Sequence, residues 1–207
     1  MSPESRPDPN CEVVLVRHAQ SEWNASGLWQ GQADPPLSAQ GQAQVVALAE
    51  ALRQELAGDR VSALVCSDLA RARETARGVE DILGLKARPD PGLRELDVGE
   101  WSGLNRDEIV LRDPALLARF ESGETSVRPP GGETRSEIRH RARWVLRRIV
   151  DEDPWGRIVL VTHLGLVRAL LPDVELGNAE FVRVSAADAL TRRMRTDHDE
   201  RKVSGPL

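Results

Sequence analysis

Two short motifs place a histidine directly after an apolar run. In "VVLVRHAQSEWN", Arg17 and His18 follow four apolar residues, and in "RIVLVTHLG", His163 follows a similar run. Short apolar runs are typical of buried strands, and the carboxyl ends of parallel strands meet at one edge of a sheet. One histidine in such a place is usually structural, but two beside arginines indicate a reaction site.

The arginines indicate the kind of ligand. Arg17 follows the first run, and Arg71 lies shortly after a third run, "VSALVC". A guanidinium is permanently charged, and its planar fork pairs with two oxygens of a phosphate or carboxylate. A zinc site built from His18, His163 and Glu95 would place a divalent cation among these charges, and the histidines lack H-x-x-x-H spacing. We therefore predict an anion site with no metal and no cofactor.

The choice of nucleophile follows from the motifs that the chain lacks. It has no G-x-S-x-G elbow, no G-x-x-x-x-G-K-[ST] loop and no G-x-G-x-x-G turn. A neutral imidazole can attack phosphorus and hold the phosphoryl group covalently, while fixed cations stabilise the equatorial oxygens. The leaving alkoxide needs a proton donor, and "RELDVGEWSG" offers Glu95, Asp97 and Glu100, among which residue type does not decide.

The elements that must position these residues follow one pattern three times. A short apolar run is followed by a polar break and then by apolar residues at helical spacing, with the runs at 13–16, 61–66 and 158–161. Strands and helices that alternate in this way form parallel sheets covered by helices on both faces. We expect an α/β fold, a three-layer α/β/α arrangement around a mostly parallel central sheet.

Capping residues indicate where the helices begin. One helix starts at about Ser38, the next has Ser67 and Asp68 as N-cap candidates, and another starts at Thr134, with Glu137 at capping-box spacing. The many arginines of this last helix are interpreted as a solvated face. A final short strand is predicted at "FVRVS".

Length and composition predict one domain. The chain has 207 residues, too few to make two cores the expected outcome. Residues 11–190 form the predicted domain, and residues 93–133 are an irregular insert over the active site, with one helix that Pro114 interrupts. The polar segments 1–10 and 191–207 are predicted to be a disordered N-terminal tail and a polar C-terminal tail.

Charge and hydropathy limit the function classes. The formal net charge of -5 argues against a nucleic-acid surface, which needs a basic face. No apolar run approaches the roughly 20 residues that span a bilayer, so we expect no membrane partner and a cytoplasmic protein.

Taken together, six motifs resemble those of the histidine phosphatase superfamily, also called the phosphoglycerate mutase-like family. In chain order they are "LVRHAQSEWN", "GQADPPLSAQGQAQ", "CSDLARARETA", "RELDVGEWSG", "PPGGET" and "VTHLG", and they cover about residues 12–186. The resemblance implies a phosphoglycerate mutase-like fold and phosphoryl transfer through a histidine.

The resemblance also implies roles for particular positions. His18 is the residue that becomes phosphorylated, and Glu95 is the acid and base, which resolves the choice among the three carboxylates. Arg17, Arg71 and His163 hold the phosphate, with His163 cationic beside the dianion. The other positions that match substrate-binding residues are Asn24, Gln30, Gly31 and Leu164.

Two positions depart from the family pattern. Ala19 and Leu164 stand where glycine is frequent. We expect both to be tolerated, because alanine adds only a methyl group and the backbone N–H of Leu164 does not depend on its side chain.

The resemblance favours a phosphatase over a mutase. Segment 104–130 is short and has no adjacent arginine pair, and "DVGEWSG" resembles the phosphatase members. We predict a metal-independent phosphatase for small phosphate monoesters of the sugar phosphate or phosphoglycerate type. The alternatives are a cofactor-dependent phosphoglycerate mutase and a non-catalytic phosphate-binding module, and a homodimer is left open.

Overall fold

A five-stranded sheet forms the centre of the computed structural model, which describes residues 11–153 and 156–192. The order is β3-β2-β4-β1-β5, and β5 alone runs antiparallel to its neighbour. The expectation of a mostly parallel sheet is confirmed. The strands are β1 (Glu12–Arg17), β2 (Val61–Ser67), β3 (Arg88–Asp90), β4 (Arg157–Thr162) and β5 (Phe181–Ser185).

Helices cover both faces of the sheet and form the connections. The α-helices are α1 (Glu22–Ala25), α2 (Ala39–Glu55), α3 (Ala70–Leu83), α4 (Arg106–Arg112), α5 (Pro114–Glu121), α6 (Arg135–Glu152), α7 (Leu164–Leu170) and α8 (Ala186–Thr191), with 3-10 turns at Pro91–Leu93 and Gly99–Trp101. None of the helices within residues 11–153 and 156–192 has the length and hydropathy of a transmembrane span.

Strand β1 shows why its sequence is a continuous apolar run. Val13 and Leu15 point into a core shared with α6, α7 and the 93–133 segment, whereas Val14 and Val16 point into a core shared with α2 and α3. Each side chain that is fully buried contributes roughly 1.5–3 kcal/mol. The run therefore holds two helical layers on one sheet, which confirms the three-layer α/β/α arrangement.

Two of the predicted caps are confirmed. Ser38 accepts a hydrogen bond from the backbone N–H of Gly41 and begins α2. Thr134 and Glu137 form the predicted capping box at the start of α6.

The predicted cap of α3 is wrong. The N-cap is Leu69, which has no side-chain acceptor to offer. Ser67 is the last residue of β2, and the Asp68 carboxylate pairs with the guanidinium of Arg94 at 2.6 Å. A charge-assisted bidentate pair is stronger than a single capping bond, so it takes this carboxylate away from the helix end.

The insert and the tails differ in part from the prediction. Pro114 starts α5 after Asp113 has ended α4, because proline is well suited to a first helical position. The region therefore has two helices rather than one interrupted helix. Helix α8 was not predicted, and it extends to Thr191. The predicted tails otherwise lie outside the described residues.

Candidate active site

Three strand ends bring the predicted residues together. The parallel register pairs Arg17 with Thr162, so His18 and His163 follow their strands at the same level of the sheet. Their ring centroids lie 5.0 Å apart. Arg71, in the first turn of α3 after β2, reaches the same point and places its Nε 3.3 Å from Nε2 of His18.

His18 is held in one orientation. Its Nδ1 lies 2.7 Å from the carbonyl oxygen of Ala19, and because a carbonyl only accepts, Nδ1 must carry the proton. Nε2 is then the unprotonated nitrogen and accepts from Arg71. Burial first, and the charge of Arg71 second, hold the pKa of His18 well below its ordinary value. The ring is therefore a neutral base with its lone pair at the site.

His163 is fully buried, and neither of its ring nitrogens has a hydrogen-bond partner within the described residues. Burial first, and Arg71 second, hold its pKa well below the ordinary value. The expectation of a cationic His163 therefore does not apply to the unliganded chain, where the ring is neutral. An unsatisfied buried polar group is costly, so the one N–H of this neutral ring is a donor that a ligand oxygen could satisfy.

Two arginines complete the floor of the site. Arg71 is 1 % exposed and donates to the carbonyl oxygens of Ala33 and Gly31 at 2.7 and 2.9 Å. Burial lowers its pKa to about 10, which leaves it charged at neutral pH. Arg17 donates to the carbonyl oxygen of Leu176 at 2.7 Å, and its buried Nε has no partner in the described chain. Both cations are fixed by backbone carbonyls.

Glu95 reaches the site from the 93–133 segment. One carboxylate oxygen accepts from the N–H of Leu96 at 2.7 Å and the other from the N–H of Gly165 at 3.1 Å. The backbone carbonyl of Glu95 accepts from Arg141, which is half-buried and also pairs with Glu133. For Arg141, the expectation of a solvated α6 face is therefore wrong, since it braces the segment that carries the carboxylate.

The remaining predicted positions also line the cavity. The hydrogen bonds that Asn24 makes with its side chain in the described structure all use Oδ1, so none of them takes up Nδ2. Gln30 accepts from Ser21 at 2.8 Å. Gly31 has a φ of +49°, and a Cβ there would lie 2.7 Å from the side chain of Val98. Leu164 lines the cavity as the first residue of α7.

The predicted site residues other than His163 line one cavity of about 360 Å³. His163 is fully buried and is not part of this lining, but its ring packs against that of His18, which is. The sequence analysis missed several lining residues, because apolar side chains have no reactive group that singles them out and helical arginines carry no motif. Those that it missed are Leu28, Leu96, Val98, Phe120, Arg135 and Arg168.

The described residues contain no group of three His, Cys, Asp or Glu side chains that could hold a metal ion. His18, His163 and Glu95 therefore do not form the set that the zinc alternative needs. The donors that line the cavity are instead the guanidinium groups of four arginines and the side-chain amide of Asn24. Such donors fit an anion with several oxygens.

Fold and site together define a class of α/β phosphoryl-transfer proteins, in which a buried neutral histidine lies among arginines at the carboxyl ends of parallel strands. The chain belongs to the histidine phosphatase superfamily (branch 1), whose sequence profile matches residues 13–205. This confirms the family that the six motifs predicted.

Relatives support the enzyme class. The chain is 37% identical over 168 residues to glucosyl-3-phosphoglycerate phosphatase of Mycobacterium tuberculosis, with 76% of this chain and 72% of the relative covered. It is 35% identical over 161 residues to a metal-independent phosphoserine phosphatase of Arabidopsis thaliana, with 77% and 66% covered. These relatives confirm the predicted enzyme class, a phosphatase of small phosphate monoesters.

A solved structure shares the fold. It is that of a mycobacterial glucosyl-3-phosphoglycerate phosphatase in complex with VO3, with a TM-score of 0.76 and 34% identity. The match covers 84% of this chain and 92% of that one.

Proposed function

We propose that the chain hydrolyses small phosphate monoesters in two displacement steps, with His18 as the nucleophile. The observation that carries this proposal is the fixed tautomer of His18, with Nδ1–H bonded to Ala19 and a neutral Nε2 beside Arg71. A base that stays unprotonated can attack phosphorus at neutral pH, whereas a cationic imidazole has no lone pair to offer.

In the first step, Nε2 of His18 forms a bond to phosphorus as the bond to the ester oxygen breaks. Arg17, Arg71 and His163 donate to the equatorial oxygens, where charge is spread in the transition state. Glu95, in its protonated form, gives its proton to the departing alkoxide. The products are a free alcohol and a phosphohistidine.

In the second step, water attacks the phosphohistidine. Glu95, now ionised, takes a proton from the water, the bond between nitrogen and phosphorus breaks, and phosphate leaves. The balance of atoms and charge needs no metal ion. The carboxylate of Glu95, the proposed acid and base, accepts hydrogen bonds from the N–H groups of Leu96 and Gly165, which fix its position at the cavity.

The names of relatives support monoesters of acidic alcohols as substrates, because glucosyl-3-phosphoglycerate and phosphoserine both carry a carboxylate. Other relatives are named as probable phosphoglycerate mutases, for example in Yersinia enterocolitica. For this chain, the ion pairs of the surface arginines in the insert favour hydrolysis over a mutase reaction. Arg106, Arg119 and Arg128 pair with glutamates outside the cavity, so they do not add to its positive charge.

Rapid-quench labelling tests the intermediate. A ³²P-labelled monoester mixed with the enzyme should leave label on the protein that survives alkali and is lost in acid, and His18→Ala should carry none. Labelling that persists in His18→Ala would refute the assignment of the nucleophile.

Steady-state assays test the reaction itself. A panel of phosphate monoesters should be hydrolysed equally well with and without a chelator, and loss of activity with the chelator would refute the metal-independent route. Exchange between 3- and 2-phosphoglycerate without hydrolysis of any monoester would instead indicate a mutase. The cytoplasmic location remains a prediction, and a homodimer remains open.

A further inference from the structure

Two arginines in the cavity are not needed for the phosphate. Arg135, the first residue of α6, and Arg168, in the last turn of α7, both line the cavity with Arg17 and Arg71. Among the residues that the structure describes, none of the four has a carboxylate within ion-pair distance. By contrast, the partly buried Arg141 pairs with Glu133.

Arg135 lies where a positive charge is unfavourable for the fold. It stands at the amino end of a helix, where the macrodipole opposes a cation, and it is partly buried. Its guanidinium lies 4.6 Å from the centroid of the Phe120 ring and donates to the Phe120 carbonyl oxygen at 3.2 Å. Its buried Nε has no hydrogen-bond partner in the described chain. The guanidinium is thus fixed in place and still has a free donor.

Arg168 adds a second charge on the same side of the cavity. Burial first, and the charge of Arg168 second, lower the pKa of Arg135. Arg168 is exposed, and its Nε donates to the carbonyl oxygen of Val174 at 3.4 Å. Since Arg135 is partly buried and Arg168 exposed, the pair extends from the cavity wall towards solvent.

We propose that Arg135 and Arg168 form a second anion subsite, which holds a carboxylate on the alcohol part of the phosphate monoester. This inference rests on the proposed function, because it assigns the phosphate to Arg17, Arg71 and the two histidines. Four guanidinium groups line the cavity, and a bound phosphate dianion offsets only two of their positive charges. A carboxylate on the substrate offsets a further one, and its two oxygens match the planar fork of arginine.

A pair of esters that differ only in the carboxylate tests this subsite. In 3-phospho-D-glycerate the carboxylate occupies the position that a hydroxymethyl group has in glycerol 3-phosphate. Calorimetric titration of the full chain carrying His18→Ala measures binding without turnover. This variant should bind 3-phosphoglycerate about tenfold or more tightly than glycerol 3-phosphate, since hydrogen bonds between charged groups are the strong ones.

The same ratio of dissociation constants is then measured after a second substitution. Arg135→Gln and Arg168→Gln should each bring the ratio towards one, mainly by weakening the binding of 3-phosphoglycerate. Arg112→Gln is the matched control, because Arg112 is an exposed helical arginine that does not line the cavity, and it should leave the ratio unchanged.

Three results would overturn the subsite: a ratio near one in the parent variant, a ratio that survives both substitutions, or an equal loss of affinity for both esters. The last would indicate a structural role for the arginines. Turnover of both esters by the wild-type chain is assayed separately. If neither ester is hydrolysed, the proposed phosphatase activity fails, while the binding ratio still decides the subsite.

Discussion

Gly165 and Glu95 are in such close contact that no side chain fits between them. The N–H of Gly165 donates to one carboxylate oxygen of Glu95 at 3.1 Å, and a Cβ on Gly165 would lie 2.1 Å from the other oxygen. The glycine of the "THLG" motif is therefore explained by a carboxylate that is distant in sequence. It positions the proposed acid and base.

Gly165→Ala should displace this carboxylate and lower kcat by about 10²-fold, the lower end of what general acid–base catalysis contributes. KM for a small monoester should change little, because the proposed phosphate contacts come from other residues. Alanine is a better helix former than glycine by about 1 kcal/mol, so the fold itself should not suffer from the change in α7. Steady-state kinetics and a thermal melt check both expectations.

Glu95→Gln is the comparison for this variant, because it removes the proton transfer without adding volume. The two variants should lose kcat to a similar extent, and the double variant should lose little more than either alone. Near wild-type kcat in Gly165→Ala would show that the carboxylate moves without consequence.

Arg71→Lys should impair both stability and activity, although lysine keeps the positive charge. Three donors of Arg71 are engaged, with Gly31, Ala33 and His18, and a lysine ammonium cannot reach all of them in one geometry. Each buried carbonyl left without a partner costs about 1–3 kcal/mol. We expect lower thermal stability and a fall in kcat/KM of about 10²-fold or more.

Arg73→Lys is the matched control for this prediction. Arg73 is exposed on the same helix, two residues further along, and should tolerate lysine. Equal behaviour of the two lysine variants in melts and kinetics would contradict the role assigned to Arg71.

The two buried histidines predict how stability depends on pH. An unfolded histidine titrates near pH 6.5, whereas burial, followed by Arg71, holds the folded pKa of His18 and His163 well below that. Below pH 6.5 the unfolded chain therefore binds more protons than the folded chain. The free energy of unfolding should fall by roughly 1.4 kcal/mol per pH unit for each such histidine as pH decreases.

Urea unfolding in phosphate-free buffer between pH 7.5 and 5.5 measures this slope. His163→Gln should make it shallower by about one histidine's contribution, whereas His140→Gln, at an exposed position, should leave it unchanged. Parallel slopes for all three proteins would mean that the buried rings do not titrate with unfolding.

The side chain of Ala19 should contribute to stability and not to catalysis. Its methyl group is fully buried against Leu37 and Val45, and its N–H donates to the hydroxyl of Thr75 at 3.0 Å. Ala19→Gly should lower the free energy of unfolding by about 1 kcal/mol, through lost burial and greater freedom of the unfolded chain, and leave kcat unchanged. Denaturant titration and kinetics test this, and a large change in kcat would count against it.

The residues at the strand ends of the site were predictable, because the ends of buried strands can be recognised in the sequence. An apolar run that stops at Arg17 and His18, and another that stops at His163, fix three residues on one sheet edge. The sheet then brings these residues close together, since parallel strands in register place their ends side by side.

The contributions of helix α6 to the site were not predictable from sequence, because they depend on tertiary contacts. Arg135 and Arg141 lie on the same arginine-rich helix, and nothing in their spacing separates them from the other arginines of that helix. One faces Phe120, and the other braces the backbone of Glu95. The cap of α3 was wrong for a similar reason, because its carboxylate pairs with the distant Arg94.

The proposed phosphate pocket draws Arg17, Arg71 and His163 from three separate parts of the chain. An anion bound there touches the ends of two strands and the start of a helix at once, and this constellation exists only in the folded chain. Binding is therefore linked to folding, and a phosphate present at 100 times its dissociation constant adds about 2.7 kcal/mol to the free energy of unfolding. Inorganic phosphate would thus act on this protein as a stabilising ligand as well as a reaction product.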